Sequence, residues 1–187
     1  PIDLTLEMAA EQGLSVDEDG FRALMTEQRS RAKADAKSKK GSHADTTIYR
    51  GVLDANGPTD WLAYTTLDTE SRALALIQAG QSVPAIAAGD VGEVVLDRTG
   101  FYAESGGQHA DAGHLTWTSG PSGSGRAEVL DVQRPVKGLV VHQVRVIEGE
   151  LTVDTALEAS VDPQWRRGAR QAHSGTHVVH AALREVL

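Results

Sequence analysis

The 187-residue sequence contains no cysteine. Disulfides and any thiolate-ligated metal site built from this chain alone are thereby excluded. Aromatic residues are only 4% of the chain, with 2 Phe, 3 Tyr and 3 Trp, so a core must rest on Val, Leu, Ile and Ala. No apolar run approaches the ~18 residues a membrane-spanning helix needs. The start, PIDLTLEMAAEQG, is amphipathic and acidic, without the basic and apolar regions of a secretory signal, and its lack of Met suggests a piece of a longer or processed chain. A cytoplasmic protein is the default expectation. The formal net charge is −8, which argues against a generic nucleic-acid-coating protein while leaving room for a local basic site.

Hydrophobic residues make up 40% of the sequence, enough for a core in one large or two small domains. The first forty residues read as helical. LTLEMAAEQG carries apolar residues at helical spacing and stops at Gly13, a capping residue. A second helix follows, with Asp17 or Asp19 as its cap and Phe21, Leu24 and Met25 on one face. Beyond Gln28 that face ends. Arg29, Arg31, Lys33, Lys37, Lys39 and Lys40 crowd a segment whose simplest reading is a solvated helix end; a phosphate-facing patch is the sharper alternative.

From about residue 45 the pattern changes to short β-branched runs punctuated by Gly, Pro, Asn and Asp: TTIYRGVL, DWLAYTTL, ALALIQAG, SVPAIAAG, VGEVVLDRT, AGHLTWTS, RAEVLDVQRP, LVVHQVRV and ELTVDTALEASVD. Each is expected to be a strand, in an antiparallel barrel or sandwich. After VDPQWRRGARQ the pattern becomes helical again, Pro163 suiting a first turn. Ala172, Gly175, Val179, Leu183 and Val186 would share one face, with His173, His177, His180 and Arg184 in the stripe beside it. That apolar face is expected to be mobile or packed against a neighbour.

Two stretches carry chemistry. In HSGTH, His173 and His177 are four apart, about 40° around a helix, so both imidazoles can reach one ion. Two histidines are half of a tetrahedral zinc set. A HExxH protease would need a glutamate where Ser174, Gly175 and Thr176 stand, so that reading fails. A pair of solvated helical histidines is the plainer reading. In DRTGFYAESGGQHADAGHL, Gly106 and Gly107 permit positive φ and close backbone approach, and Gln108 offers an amide that both donates and accepts. Asp111 and Gly113 look like a second turn, and His109 and His114 like turn or surface residues. From the residues alone, a glycine-rich hairpin without a ligand is the simpler reading.

Together, DRTGFYAESGGQHADAGHL, VDPQWRRGARQAHSGTHVVHAALREVL and the opening PIDLTLEMAAEQGLSVDEDGFRALMTEQRSRAKA resemble, in order, three segments of the alanyl-tRNA synthetase family. The resemblance implies an α+β fold: N-terminal helices, a translation-factor-like antiparallel β-barrel, and a C-terminal helix that begins an editing domain similar to that of threonyl-tRNA synthetase. Residues 1–42 would be a helical tail of the aminoacylation and tRNA-recognition region, 43–155 the barrel with its glycine-rich motif, and 156–187 the truncated start of the editing domain. The implied parent attaches alanine to its tRNA using ATP and Mg, in a core absent here, and hydrolyses serine or glycine wrongly attached to tRNA for alanine.

By the same resemblance, His173 and His177 match two zinc ligands, Thr176 lies where the misacylated amino acid is met, and Gln108 with Gly106 and Gly107 falls near that pocket. The other two ligands would come from a downstream CxxxH, so zinc would be incompletely held and the piece inactive alone. Thr176 and Gln108 are the expected catalytic residues, Gly106 and Gly107 the substrate-binding ones. A free-standing alanyl-tRNA editing protein and a non-catalytic tRNA- or protein-binding barrel are the alternatives. The implied partner is tRNA for alanine, with no membrane; the oligomeric state is left open.

Overall fold

The computed structural model describes residues 8–39, 46–118 and 123–186. The chain divides into two compact units, Pro1–Ala44 and Asp45–Leu187. In the first, helical backbone at 8–11 ends at Gly13, whose φ of 70° is the left-handed value expected of a C-terminal cap. The Leu14 N–H reaches back to the Ala9 carbonyl at 2.8 Å. Helix α1, Glu18–Lys39, follows. Asp17, rather than Asp19, is its cap: Oδ1 accepts from the Gly20 N–H at 2.8 Å. Glu18 and Asp19 complement the positive end of the helix dipole. Phe21 and Leu24 are exposed. The backbone stays helical through the basic run to Lys39, while Lys40 and the side chains from Arg31 onward lie outside the described residues.

The second unit begins with a departure from the expected strand pattern. TTIYRGVL is not a strand; it lies in helix α2, Thr47–Asn56. Ile48, Tyr49, Val52 and Leu53 recur at helical spacing, and this face covers Ile77, Val95, Leu139 and Val141 in a small second core. Burial pushes the Tyr49 phenol above its usual range, and its hydrogen bond to Glu93 at 2.6 Å adds to that. Of DWLAYTTL, only β1, Asp60–Trp61, is a strand; Thr65 and Thr66 then turn back onto the Leu62 carbonyl.

The remaining runs are strands. They are β2 (Asp68–Gln78), β3 (Gln81–Val83), β4 (Ala85–Ala87), β5 (Val91–Leu96), β6 (Arg98–Thr99), β7 (Gly113–Trp117), β8 (Gly125–Val136), β9 (Leu139–Glu148), β10 (Glu150–Thr152) and β11 (Ala156–Val161). Strands β11, β7, β8, β9, β5 and β2 are joined antiparallel in that order, and β11 pairs with β2 to close a six-stranded barrel. Short pairs decorate it: β1 with β6, and β10 with β4. The α+β class expected from the sequence is thus the one observed.

Period-two alternation fills the interior, and Leu76, Val94, Leu96, Leu115, Val129 and Val144 are all at or below 2% exposure. Phe101 and Trp117 are the aromatic members of this main cluster. Closure needs a close approach: a Cβ on Gly113 would stand 2.2 Å from the Ser160 carbonyl oxygen, so β7 and β11 can pair there only over glycine.

His142 is fully enclosed on the inward face of β9. Its Nδ1–H donates to the Val94 carbonyl at 3.2 Å, leaving Nε2 to accept from the Thr99 hydroxyl at 2.9 Å. Thr99 Oγ1 in turn accepts from the Phe101 N–H at 3.1 Å. Burial lowers the imidazole pKa to about 4, so the ring is neutral and serves as a core polar link.

Helix α3, Pro163–Val186, leaves directly from the closing strand. Asp162 caps it, Oδ1 accepting from the N–H groups of Gln164 and Trp165 at 2.8 and 3.0 Å, and Pro163 takes the first helical position. Its buried residue is Arg166. Val178, Val179, Leu183 and Val186 are all at least half exposed, so the apolar face is uncovered by the barrel. Among the described residues, no helix is long and apolar enough to cross a membrane.

Candidate functional site

The glycine-rich segment runs from β6 to β7 across one end of the barrel. Its tip is a two-residue hairpin. Ser105 and Gln108 exchange backbone hydrogen bonds at 3.0 and 3.3 Å, and Gly106 and Gly107 have φ of 60° and 80°. Positive φ at both central residues is the primed turn that matches strand twist, and it is the reason two glycines stand here. A Cβ at either position would meet nothing within 4 Å, so the tip projects into open space.

Behind the tip the segment is clamped to α3. Arg166 Nε donates to Asp111 Oδ1 and Oδ2 at 2.8 and 2.9 Å, and Nη2 also binds Oδ2. The remaining guanidinium donors go to the carbonyls of Ala63 at 2.6 Å and Gly100 at 2.8 Å. Asp111 Oδ2 accepts the Tyr102 N–H as well, at 2.6 Å. Trp165 Nε1 donates to the Ala110 carbonyl at 2.9 Å. A planar guanidinium fork thus joins four segments at one buried point. Asp111 is therefore more than the turn residue it resembles in sequence.

The clamp leaves a cleft of about 730 Å³ between the hairpin, the turn at 63–67 and one face of α3. Tyr64, Tyr102 and Gln108 line it from the barrel side, and Arg167, Arg170 and Ser174 from the helix. Its lining holds three arginines and no carboxylate, in a chain of net charge −8.

Of the residues singled out in sequence, Gln108 lies in this cleft and Gly106 and Gly107 form the hairpin beside it. His173 and His177 are brought together: their Nε2 atoms are 3.3 Å apart and their rings meet edge to face at 4.9 Å. Two zinc–nitrogen bonds of 2.0–2.1 Å at a tetrahedral angle span about 3.3 Å, so this pair fits two corners of such a site. Among the described residues, no third His, Asp or Glu joins them. Thr176 is placed elsewhere. It stands about 100° around the helix from His177, does not line the cleft, and donates its hydroxyl to the Ala172 carbonyl at 2.9 Å.

Sequence reasoning missed Arg166, Arg167, Arg170, Tyr64 and Tyr102. The arginines at i, i+1 and i+4 were a visible signal of one cationic helix face. Tyr64 was hidden by the expectation of a strand over 60–67.

A family model described as tRNA synthetases class II (A) matches residues 1–165. The chain belongs to this class II family of tRNA synthetases. Within it, the chain is similar to alanine–tRNA ligases. That of Saccharopolyspora erythraea is 57% identical over 184 residues, covering 98% of this chain and 20% of the relative. Those of Mycobacterium avium and Clavibacter michiganensis subsp. michiganensis are each 56% identical over all of this chain, covering 21% and 20% of their own lengths. The chain therefore spans about a fifth of the curated relatives it matches.

Proposed function

We propose that the chain is a segment of an alanine–tRNA ligase that carries part of a hydrolytic site for mischarged tRNA. In the whole protein, ATP and Mg would serve aminoacylation in a core outside these 187 residues, tRNA for alanine would be the shared partner, and the compartment would be the cytoplasm. Residues 1–42 would close the aminoacylation region, 43–155 would form the supporting barrel, and 156–187 would open the editing domain. The carrying observation is the His173–His177 pair, at a separation suited to one ion, on the same helix that walls the arginine-lined cleft.

His173 and His177 would hold zinc with further ligands from the rest of the protein. Zinc bound there polarises an ester or positions a hydroxyl or amine. Gln108 presents its amide from the far wall of the cleft, able to donate to an ester carbonyl or accept from an attacking water. The Gly106–Gly107 turn gives the acyl-bearing end room to approach the backbone. Thr176 has given its proton to Ala172, and its oxygen retains lone pairs to accept from a substrate hydroxyl. A site that pairs with a hydroxyl discriminates strongly against an analogue lacking one, so serine esters are removed and alanine esters spared.

The test is deacylation of serine-charged tRNA for alanine by the ligase containing this segment, beside its Gln108→Ala and Thr176→Ala variants. Loss of hydrolysis with alanine attachment retained supports the reading. Unchanged hydrolysis in both variants leaves the segment a scaffold.

A further inference from the structure

We propose that the cleft between the 63–67 turn and α3 binds the unpaired end of an RNA strand, with a base stacked on Tyr64 and backbone phosphates on Arg167 and Arg170. The identity of the strand as a tRNA acceptor end rests on the function proposed above; the binding itself rests on independent observations.

Tyr64 is 81% exposed, yet it is not a loose side chain. Its ring meets Trp61 edge-on at 5.1 Å and Tyr102 at 6.3 Å. Trp61 is fixed from behind, its Nε1 donating to the Phe101 carbonyl at 2.9 Å and the Arg134 guanidinium lying 3.8 Å over its ring. Tyr102 is tied to the glycine hairpin through its hydroxyl, which donates to the Ser105 carbonyl at 3.2 Å. A large aromatic held in place and left facing solvent is the element on which single-stranded bases stack.

Arg167 and Arg170 supply the second element. Both are exposed on the cleft wall. Arg166, the third cleft arginine, is neutralised by Asp111 and cannot serve. No carboxylate lines the cleft to compensate the other two, so positive potential is concentrated there on an otherwise acidic chain. The volume of about 730 Å³ lies within the ~300–1,000 Å³ range of small-ligand sites, too confined for a duplex and sufficient for one or two nucleotides. The helical wall ends at Ser174, between the two residues that reach the metal-suited pair, His173 and His177. A strand end seated here would place its terminal sugar toward those histidines.

The experiment titrates this chain with a trinucleotide RNA carrying 2-aminopurine, monitoring quenching as the base stacks. AMP and a duplex of the same sequence are the comparison probes. Tyr64→Ala is expected to weaken trinucleotide binding about 5- to 150-fold, the range a stacked base carries, while Tyr64→Phe retains it. For two phosphate contacts on a single strand, log affinity should fall with log salt at a slope of about −1.4. In Arg167→Gln/Arg170→Gln that slope should approach zero. These are surface positions, and unchanged thermal unfolding of each variant confirms an intact fold.

Equal affinity in Tyr64→Ala and the double arginine variant overturns the proposal. So does AMP binding as tightly as the trinucleotide, which would mark a free-nucleotide site, or duplex binding as tightly, which would mark a general electrostatic surface. Specific trinucleotide binding alongside failed hydrolysis in the parent ligase would sink the editing reading and leave the cleft standing; hydrolysis indifferent to Tyr64 would do the reverse.

Discussion

Arg166, in the first turn of α3, binds both carboxylate oxygens of Asp111, 55 residues earlier in the chain, with the arginine 9% and the aspartate 1% exposed. This pair holds the glycine-rich segment against the helix and so sets the geometry of the cleft.

Removing one partner leaves a buried charge without compensation. Asp111→Ala or Arg166→Ala should each lower stability by about 3–5 kcal/mol, read as a shift in urea midpoint. Replacing both with apolar residues of similar size should cost much less than the sum of the singles. A fully additive double variant would show that the two do not act as a pair.

His142 should make the barrel acid-sensitive. Its folded pKa is about 4, against about 6.5 when unfolded. The unfolded state therefore binds the extra proton between those values. Stability is fully present above pH 6.5 and is lost as pH falls toward 4, by about 3 kcal/mol in all. Denaturant unfolding across this window should show the slope, and His142→Leu should flatten it whatever its absolute stability. An unchanged slope in that variant would assign the effect to other groups.

Zinc added to this chain should shift the ring resonances of His173 and His177 together, their Nε2 atoms standing 3.3 Å apart. Either alanine substitution should abolish the joint shift. A shift of His180, or of one histidine without the other, would contradict the pairing.

Gly113→Ala and Gly107→Ala should differ sharply, although both add one methyl group. At Gly107 the methyl enters open space and the cost is the left-handed backbone, about 1–2 kcal/mol. At Gly113 it strikes the Ser160 carbonyl and opens the closing strand pair, so the variant should lose the cooperative unfolding transition of the barrel. Similar midpoints for the two would show that β7 and β11 separate without cost.

Patterning within a segment was legible in the sequence. Alternation in LVVHQVRV marked the inward positions of β9, Gly106-Gly107 marked the positive-φ turn, Gly13 a helix end, and the four-residue spacing of His173 and His177 their convergence on one side of a helix. These are consequences of backbone periods of 2 and 3.6 residues, which act over neighbours in the chain. TTIYRGVL misled because its β-branched content suits a strand, while its fate as α2 was decided by an apolar barrel end that needed a cover at residues 77, 95, 139 and 141.

What only the tertiary structure decided are the relationships across long separations. Asp111 with Arg166, Thr99 with His142, and Tyr64 with the arginines of α3 meet because six strands close into a barrel and α3 starts where the last strand ends. The sequence by itself determined the elements, the turn chemistry and the histidine pair. Barrel closure decided which of those elements share a cleft, because distance in space, unlike periodicity, is not encoded in any one stretch of chain.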